Sequence, residues 1–140
     1  MYSRLGKKRG RERMREIKFR VWADDKFYDK CLVGNTNNTN DEKWTCPMVW
    51  LEDRKEWVHC DNGDICQYTG LKDKNGTEIY EGDMLDYDGD LWQVEYLEED
   101  GMFALISEGI VENFSNMNSK WFEVIGNIHE NPELLEVKDE

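Results

Sequence analysis

The side chains best suited to metal binding or nucleophilic work in this chain are Cys31, Cys46, Cys60, Cys66, His59 and His129. Structural zinc takes thiolates and imidazoles from closely spaced pairs, with about two to four residues inside each pair. Here 14, 13 and 5 residues separate successive cysteines. Only His59, beside Cys60, points toward zinc, and one such neighbour does not make a ligand pair. The spacing predicts four reduced thiols and no metal.

The 31 acidic residues invite two further chemistries. A calcium-binding EF-hand loop needs oxygen ligands at its first, third and fifth positions, glycine at the sixth and glutamate at the twelfth. A loop opened at Asp73 has Glu78 sixth and Met84 twelfth, and one opened at Asp86 has Leu91 and Leu97 there. Both depart from the pattern, so these segments read as solvated acidic turns, with an irregular divalent site left open. Two neighbouring carboxylates can do acid–base work, but among so many acids a neighbouring pair is expected by chance. No serine lies in a G-x-S-x-G elbow, and no phosphate-cradling glycine loop precedes a helix. His129, after a strand end, reads as exposed. No catalytic, cofactor-binding or metal-binding residue is assigned, and the expectation is a protein that is not an enzyme.

Nucleic-acid contact has two supports. Residues 1–13 carry Arg4, Lys7, Lys8, Arg9, Arg11 and Arg13 against Glu12, a net of +5 within a total of −13. Arg15, Lys18, Arg20 and Trp22 then line up along one segment. Basic residues interleaved with an aromatic suit single strands, through stacking and phosphate contact. Against this, the remaining 127 residues carry −18, which repels phosphate backbones. Charge is screened beyond roughly 8 Å at physiological salt, so a local patch still has scope to act. The competing reading packs Trp22 against another strand.

The elements that would position these residues are strands. In MREIKFRVW, from Met14, Ile17, Phe19 and Val21 alternate with Lys18, Arg20 and Trp22, the pattern of a half-buried strand. Ala23 to Lys26 forms a turn, and Phe27 to Val33 reads as one return strand. GNTNNTNDEK, residues 34–43, reads as a loop. Cys46–Leu51 and Trp57–Cys60 are further strands, the first placed at an edge or at its own start by Pro47. Asn75-Gly76 marks a turn. Asp88-Gly89 signals a tight type I′ hairpin, and a two-residue loop sets Leu85 opposite Trp92. That register gathers Leu85, Tyr87, Trp92, Val94 and Tyr96 on one apolar face. Met102–Ile106 and Trp121–Ile128 add strands, and Pro132 suits the start of a closing helical turn. No apolar run is long enough to span a bilayer, and no segment resembles a signal peptide. Met14 is a second candidate start.

Three stretches, MREIKFRVW, QYTGLKDKNGTEIYEGD (67–83) and VIGNIHENPELLE (124–136), together resemble the YopX family of phage and prophage proteins. The likeness covers about Met14–Trp22 and Gln67–Glu136, and leaves residues 34–62 unmatched. It implies a mostly β protein: a C-terminal SH3-like small β-barrel, preceded by a β-rich N-terminal part, with a short helical turn near the C-terminus. In such a barrel the 67–83 stretch would be the entry turn and first staves. The expected organisation is a disordered basic tail (1–13), a β-rich part (14–66), the barrel (67–130), and a helical turn with acidic tail (131–140). The family brings no established activity, cofactor or catalytic residue. The expectation is therefore an accessory protein of a phage or prophage, cytoplasmic in the bacterial host, acting as a non-enzymatic binding module for a protein partner. The alternatives are a single-stranded nucleic-acid accessory factor and an acidic decoy of a host DNA-binding protein. Self-association remains open.

Overall fold

A computed structural model describes residues 16–37, 45–61, 64–114 and 116–136. Arg15 and the basic residues of the 1–13 tail lie outside them, as do residues 38–44. In chain order the elements are β1 (Phe19–Ala23), β2 (Lys26–Tyr28), β3 (Cys31–Asn37), β4 (Thr45–Leu51), β5 (Glu56–His59), β6 (Ile65–Lys72), β7 (Glu78–Tyr80), β8 (Asp83–Tyr87), β9 (Asp90–Leu97), β10 (Met102–Ser107), β11 (Ile110–Asn113), a 3₁₀ turn (Ser119–Trp121), β12 (Glu123–Asn127) and α1 (Glu133–Glu136). The protein is mostly β. Its strands form three sheets, ordered β2-β1-β6-β7, β3-β4-β5 and β11-β10-β9-β8-β12.

Tight turns set the registers. Asp88 and Gly89 both take positive φ, 54° and 91°, and Tyr87 pairs with Asp90 and Leu85 with Trp92. This is the two-residue hairpin read from the sequence. The same geometry recurs at Asp24-Asp25 (53° and 62°) and Glu108-Gly109 (47° and 86°), which join Ala23 to Lys26 and Ser107 to Ile110.

Two expectations need correction. The return strand expected over 27–33 is two strands, because the chain changes sheets at the exposed pair Asp29-Lys30. Phe27 and Tyr28 stay with β1, while Cys31 onward pairs with β4. The polar run from Gly34 is strand as far as Asn37, held by pairing with Thr45, Cys46 and Pro47. Backbone pairing there overrides a composition that looks like loop. Pro47 lies in a central strand, but beyond Met48, where the β4–β5 ladder ends, so its missing N–H is tolerated on that side.

Burial follows the pairing. Ile79, Leu85, Trp92, Val94, Leu105 and Phe122 form one core inside the five-stranded sheet, which curls into a half-barrel. Tyr96, expected on that inner face, is 43% exposed near the strand end and lies edge-on to Phe103 instead. No ladder joins β11 to β12 among the described residues, so both are sheet edges. Val21, Tyr28, Val49 and Leu51 form a second core, between β1–β2 and the three-stranded sheet. Cys66, Tyr68 and Tyr80 form a third, with Phe27 packed against it. β6 links the two halves: it pairs with β1 through Gln67, Cys66 and Ile65, and with β7 through Tyr68 and Lys72. The expected domain boundary after residue 66 falls within this strand.

Candidate functional site

Lys18, Arg20 and Trp22 do share one face, and that face meets the rest of the chain. The Lys18 ammonium lies 2.7 Å from Glu78 and over the Tyr68 ring. The Glu78 hydrogen bond holds it above its usual range. The Arg20 guanidinium donates to Asp83 at 2.6 Å. It sits between the rings of Phe27 and Tyr80, 4.1 and 4.3 Å from their centroids. Such contacts with aromatic faces favour the cation where water is scarce. Trp22 stacks on His129 at 5.4 Å and meets Phe27 edge-on. His129 is thus half-buried rather than exposed, because Trp22 covers it. The three residues join β1 to β7, β8 and the C-terminal segment.

Two acids in the 67–83 stretch are likewise internal. Asp73 is 2% exposed. Its Oδ1 accepts the Asn75 and Thr77 amides, closing its own turn, and its Oδ2 accepts the Val124 amide from β12, each at 2.8 Å. Burial opposes its charge, yet the Val124, Thr77 and Asn75 N–H groups outweigh burial and hold the carboxyl below its usual range. Asp83 is 1% exposed and also accepts the Tyr80 amide at 2.7 Å. Burial pushes its carboxyl up to about 6, against the pull of Arg20. The expectation of solvated acidic turns fails at these two positions. The signal that could have found Asp73 is the Asp-x-Asn-Gly-Thr spacing, in which an aspartate hydrogen-bonds backbone two residues on.

The GNI-x-ENPELL ending has a comparable explanation. Asn127 Oδ1 accepts the His129 and Glu130 amides, and Asn131 Oδ1 accepts the Asn127 amide. A Cβ at position 126 would stand 2.6 Å from Asn131 Oδ1, so only glycine admits this closure. The second and third of the family-like stretches, 67–83 and 124–136, therefore act as structural latches.

The thiols of Cys31 and Cys66 are not poised for attack. Burial pushes Cys66 up to about 12 and Cys31 up to about 11, and the reactive thiolate is correspondingly scarce. Cys66 Sγ lies 3.8 Å from His129 Nε2. Among the described residues, no three of the His, Cys, Asp and Glu side chains are placed to hold a metal ion.

One sheet face leaves a row of apolar side chains outward. Leu32, Trp50 and Trp57 face one another across β3, β4 and β5. Their opposite neighbours Val33, Val49 and Val58 turn into the core. Leu32 is 62% and Trp57 51% exposed. The two indoles meet edge-to-face at 5.7 Å, and the Trp50 indole donates to Glu52. In the next row the site of Gly34 is open: a Cβ there would meet nothing within 4 Å. Sequence reasoning missed this row, because period-two alternation does not say which face of a strand is covered. Charge is unevenly divided along the chain. Residues 26–60 hold five Lys and Arg against six Asp and Glu, whereas residues 61–140 hold four against twenty-one.

A family model described as YopX protein matches residues 18–136. Among solved structures, the crystal structure of protein EF1440 from Enterococcus faecalis is similar, with 28% identity, 86% of this chain and 98% of that chain covered, and a TM-score of 0.54. No curated protein matches the chain.

Proposed function

The chain belongs to the YopX family, and from that premise we propose that it is a non-enzymatic binding module, an accessory protein of a phage or prophage acting in the bacterial cytoplasm. The observation that carries this reading is the exposed row Leu32–Trp50–Trp57. Contiguous apolar surface on a sheet face marks a contact site, and tryptophan is enriched among residues that dominate interface energy. The row lies in the nearly neutral part of the chain, so its occupant is a protein surface with an apolar centre rather than a polyanion. Lys18, Asp73 and Asp83 are engaged in holding strands together, which supports a structural role for them over a catalytic one.

The test is comparative capture. The full chain and a Leu32→Ser/Trp57→Ser variant are immobilised, and the bacterial proteins each retains are compared. The parent is expected to hold a protein that the variant loses, at an unchanged melting temperature. Retention of the same proteins by both would overturn the reading. A second reading, the acidic decoy, draws on the excess of acids after residue 60. The single-strand reading now rests on Arg15 and the 1–13 tail. A salt-dependent gel shift with and without residues 1–13 separates it, since only the intact chain would then bind.

A further inference from the structure

The exposed row on the three-stranded sheet limits what can cover it. Leu32 on β3 pairs with Trp50 on β4, and Trp50 with Trp57 on β5. Neighbouring strands lie about 4.8 Å apart, so the two ends of the row are about 9.6 Å apart. The contact is small. A stable interface between folded surfaces takes about 20–30 residues a side, and the row offers three, with Leu32 and Trp57 more than half exposed. A second copy of this chain would gain little from it. A short segment that loses little freedom on binding suits it better. A free helix shorter than about 12–15 residues is marginal in water, so this contact would also have to fold it. The bordering charges are already used within the chain. Glu52 accepts the Trp50 indole N–H at 2.9 Å and pairs with Lys55 at 2.6 Å. An uncharged segment therefore complements this face better than a charged one.

Given the row's role as a partner site, on which this rests, we infer that its occupant is a proline-rich protein segment in the polyproline II conformation, laid across the three strands. Such a helix has three residues per turn and rises about 3.1 Å per residue, so equivalent side chains recur about every 9.3 Å. That repeat fits the span of the row, whereas an extended strand repeats on one face about every 6.6–6.8 Å. One proline packs on Leu32 and the third residue after it on Trp57, with Trp50 between them. The two indoles meet at 61°, so the segment crosses an angled apolar surface. Its backbone has no internal hydrogen bonds and stays solvated, so the face of a sheet serves it without a free strand edge. Its conformation is set before binding, which is how proline-rich segments hold on aromatic-lined surfaces.

The probe is a capped decaproline, titrated at physiological salt into the ¹⁵N-labelled full chain. Trp50→Phe and Trp57→Phe assign the two indole resonances. Both indoles and the Gly34 amide are expected to shift together and saturate. A capped serine–glycine decapeptide, equally uncharged but without the preset conformation, should leave them unmoved. Trp57→Ala should weaken decaproline binding about tenfold, equivalent to ~1.4 kcal/mol. A Cβ at Gly34 would meet nothing within 4 Å, so Gly34→Gln should melt like the parent. It should nevertheless weaken binding similarly, by placing a side chain beside the segment's path, and it guards against a folding defect in Trp57→Ala. Parental affinity in both variants would overturn the inference, as would equal shifts with the two peptides. Decaproline that leaves both indoles unmoved would also overturn it. If the Leu32→Ser/Trp57→Ser variant still loses a captured protein in that case, the partner site stands and only the proline class falls.

Discussion

Asp73 and Asp83 belong to one short stretch, yet their carboxyls titrate in opposite directions. Asp73 is held below its usual range because three backbone amides outweigh its burial. Its folded state binds a proton less tightly than the unfolded chain. Its stabilisation is therefore complete above the unfolded carboxyl value of about 3.9 and is lost as pH falls through the lower folded value. Asp83 is raised by burial to about 6. Its contribution is complete below the unfolded value and is lost as pH rises through about 6. Asp73→Asn should cost roughly 2–3 kcal/mol, the scale of hydrogen bonds to a charged acceptor, and should flatten the acid limb of a stability–pH curve. Asp83→Asn should remove the limb between about 4 and 6 and leave the acid limb in place. Denaturant melts across that range check both. The turn-closing part of Asp73's role was open to reading in the Asp-x-Asn-Gly-Thr spacing, whereas its burial and the role of Asp83 were not. An aspartate in a turn reads as solvated, and the Val124 amide that Asp73 Oδ2 accepts comes from 51 residues along the chain.

At the scale of elements, the tight hairpin was the most legible feature. Asp-Gly between alternating apolar residues admits few geometries, and the Leu85–Trp92 register followed from it. A Cβ at position 89 would meet nothing within 4 Å, so Gly89→Val should act through backbone strain alone, costing about 1–3 kcal/mol. An unchanged denaturant midpoint would contradict the turn's role. Trp92→Ala removes the largest side chain of the half-barrel core and should cost roughly 3–5 kcal/mol. A variant melting like its parent would place Trp92 outside that core. The 27–33 segment was not legible, because its apolar residues serve two sheets and the change at Asp29-Lys30 carries no turn signature of its own. The basic face of β1 shows the same limit. Alternation put Lys18, Arg20 and Trp22 on one side, but Glu78, Asp83 and His129, which cover that side, come from far along the chain.

For the whole molecule, composition and turn spacing gave the mostly β character, and three short stretches pointed to the family that the match over residues 18–136 shows. What they could not give is which surfaces remain open once the sheets assemble. The central claim is that a protein partner covers the Leu32–Trp50–Trp57 row. Oxidative labelling tests it most directly, because Trp57 and Trp121 are 51% and 48% exposed and lie on separate elements, β5 and the 3₁₀ turn, so one serves as control for the other. The full chain, alone and bound to the protein it captures, is labelled briefly and the modified tryptophans are quantified by mass spectrometry. The account predicts that binding protects Trp57 while Trp121 is labelled as before. Protection of Trp121 with Trp57 unchanged, or no protection of either, would contradict it.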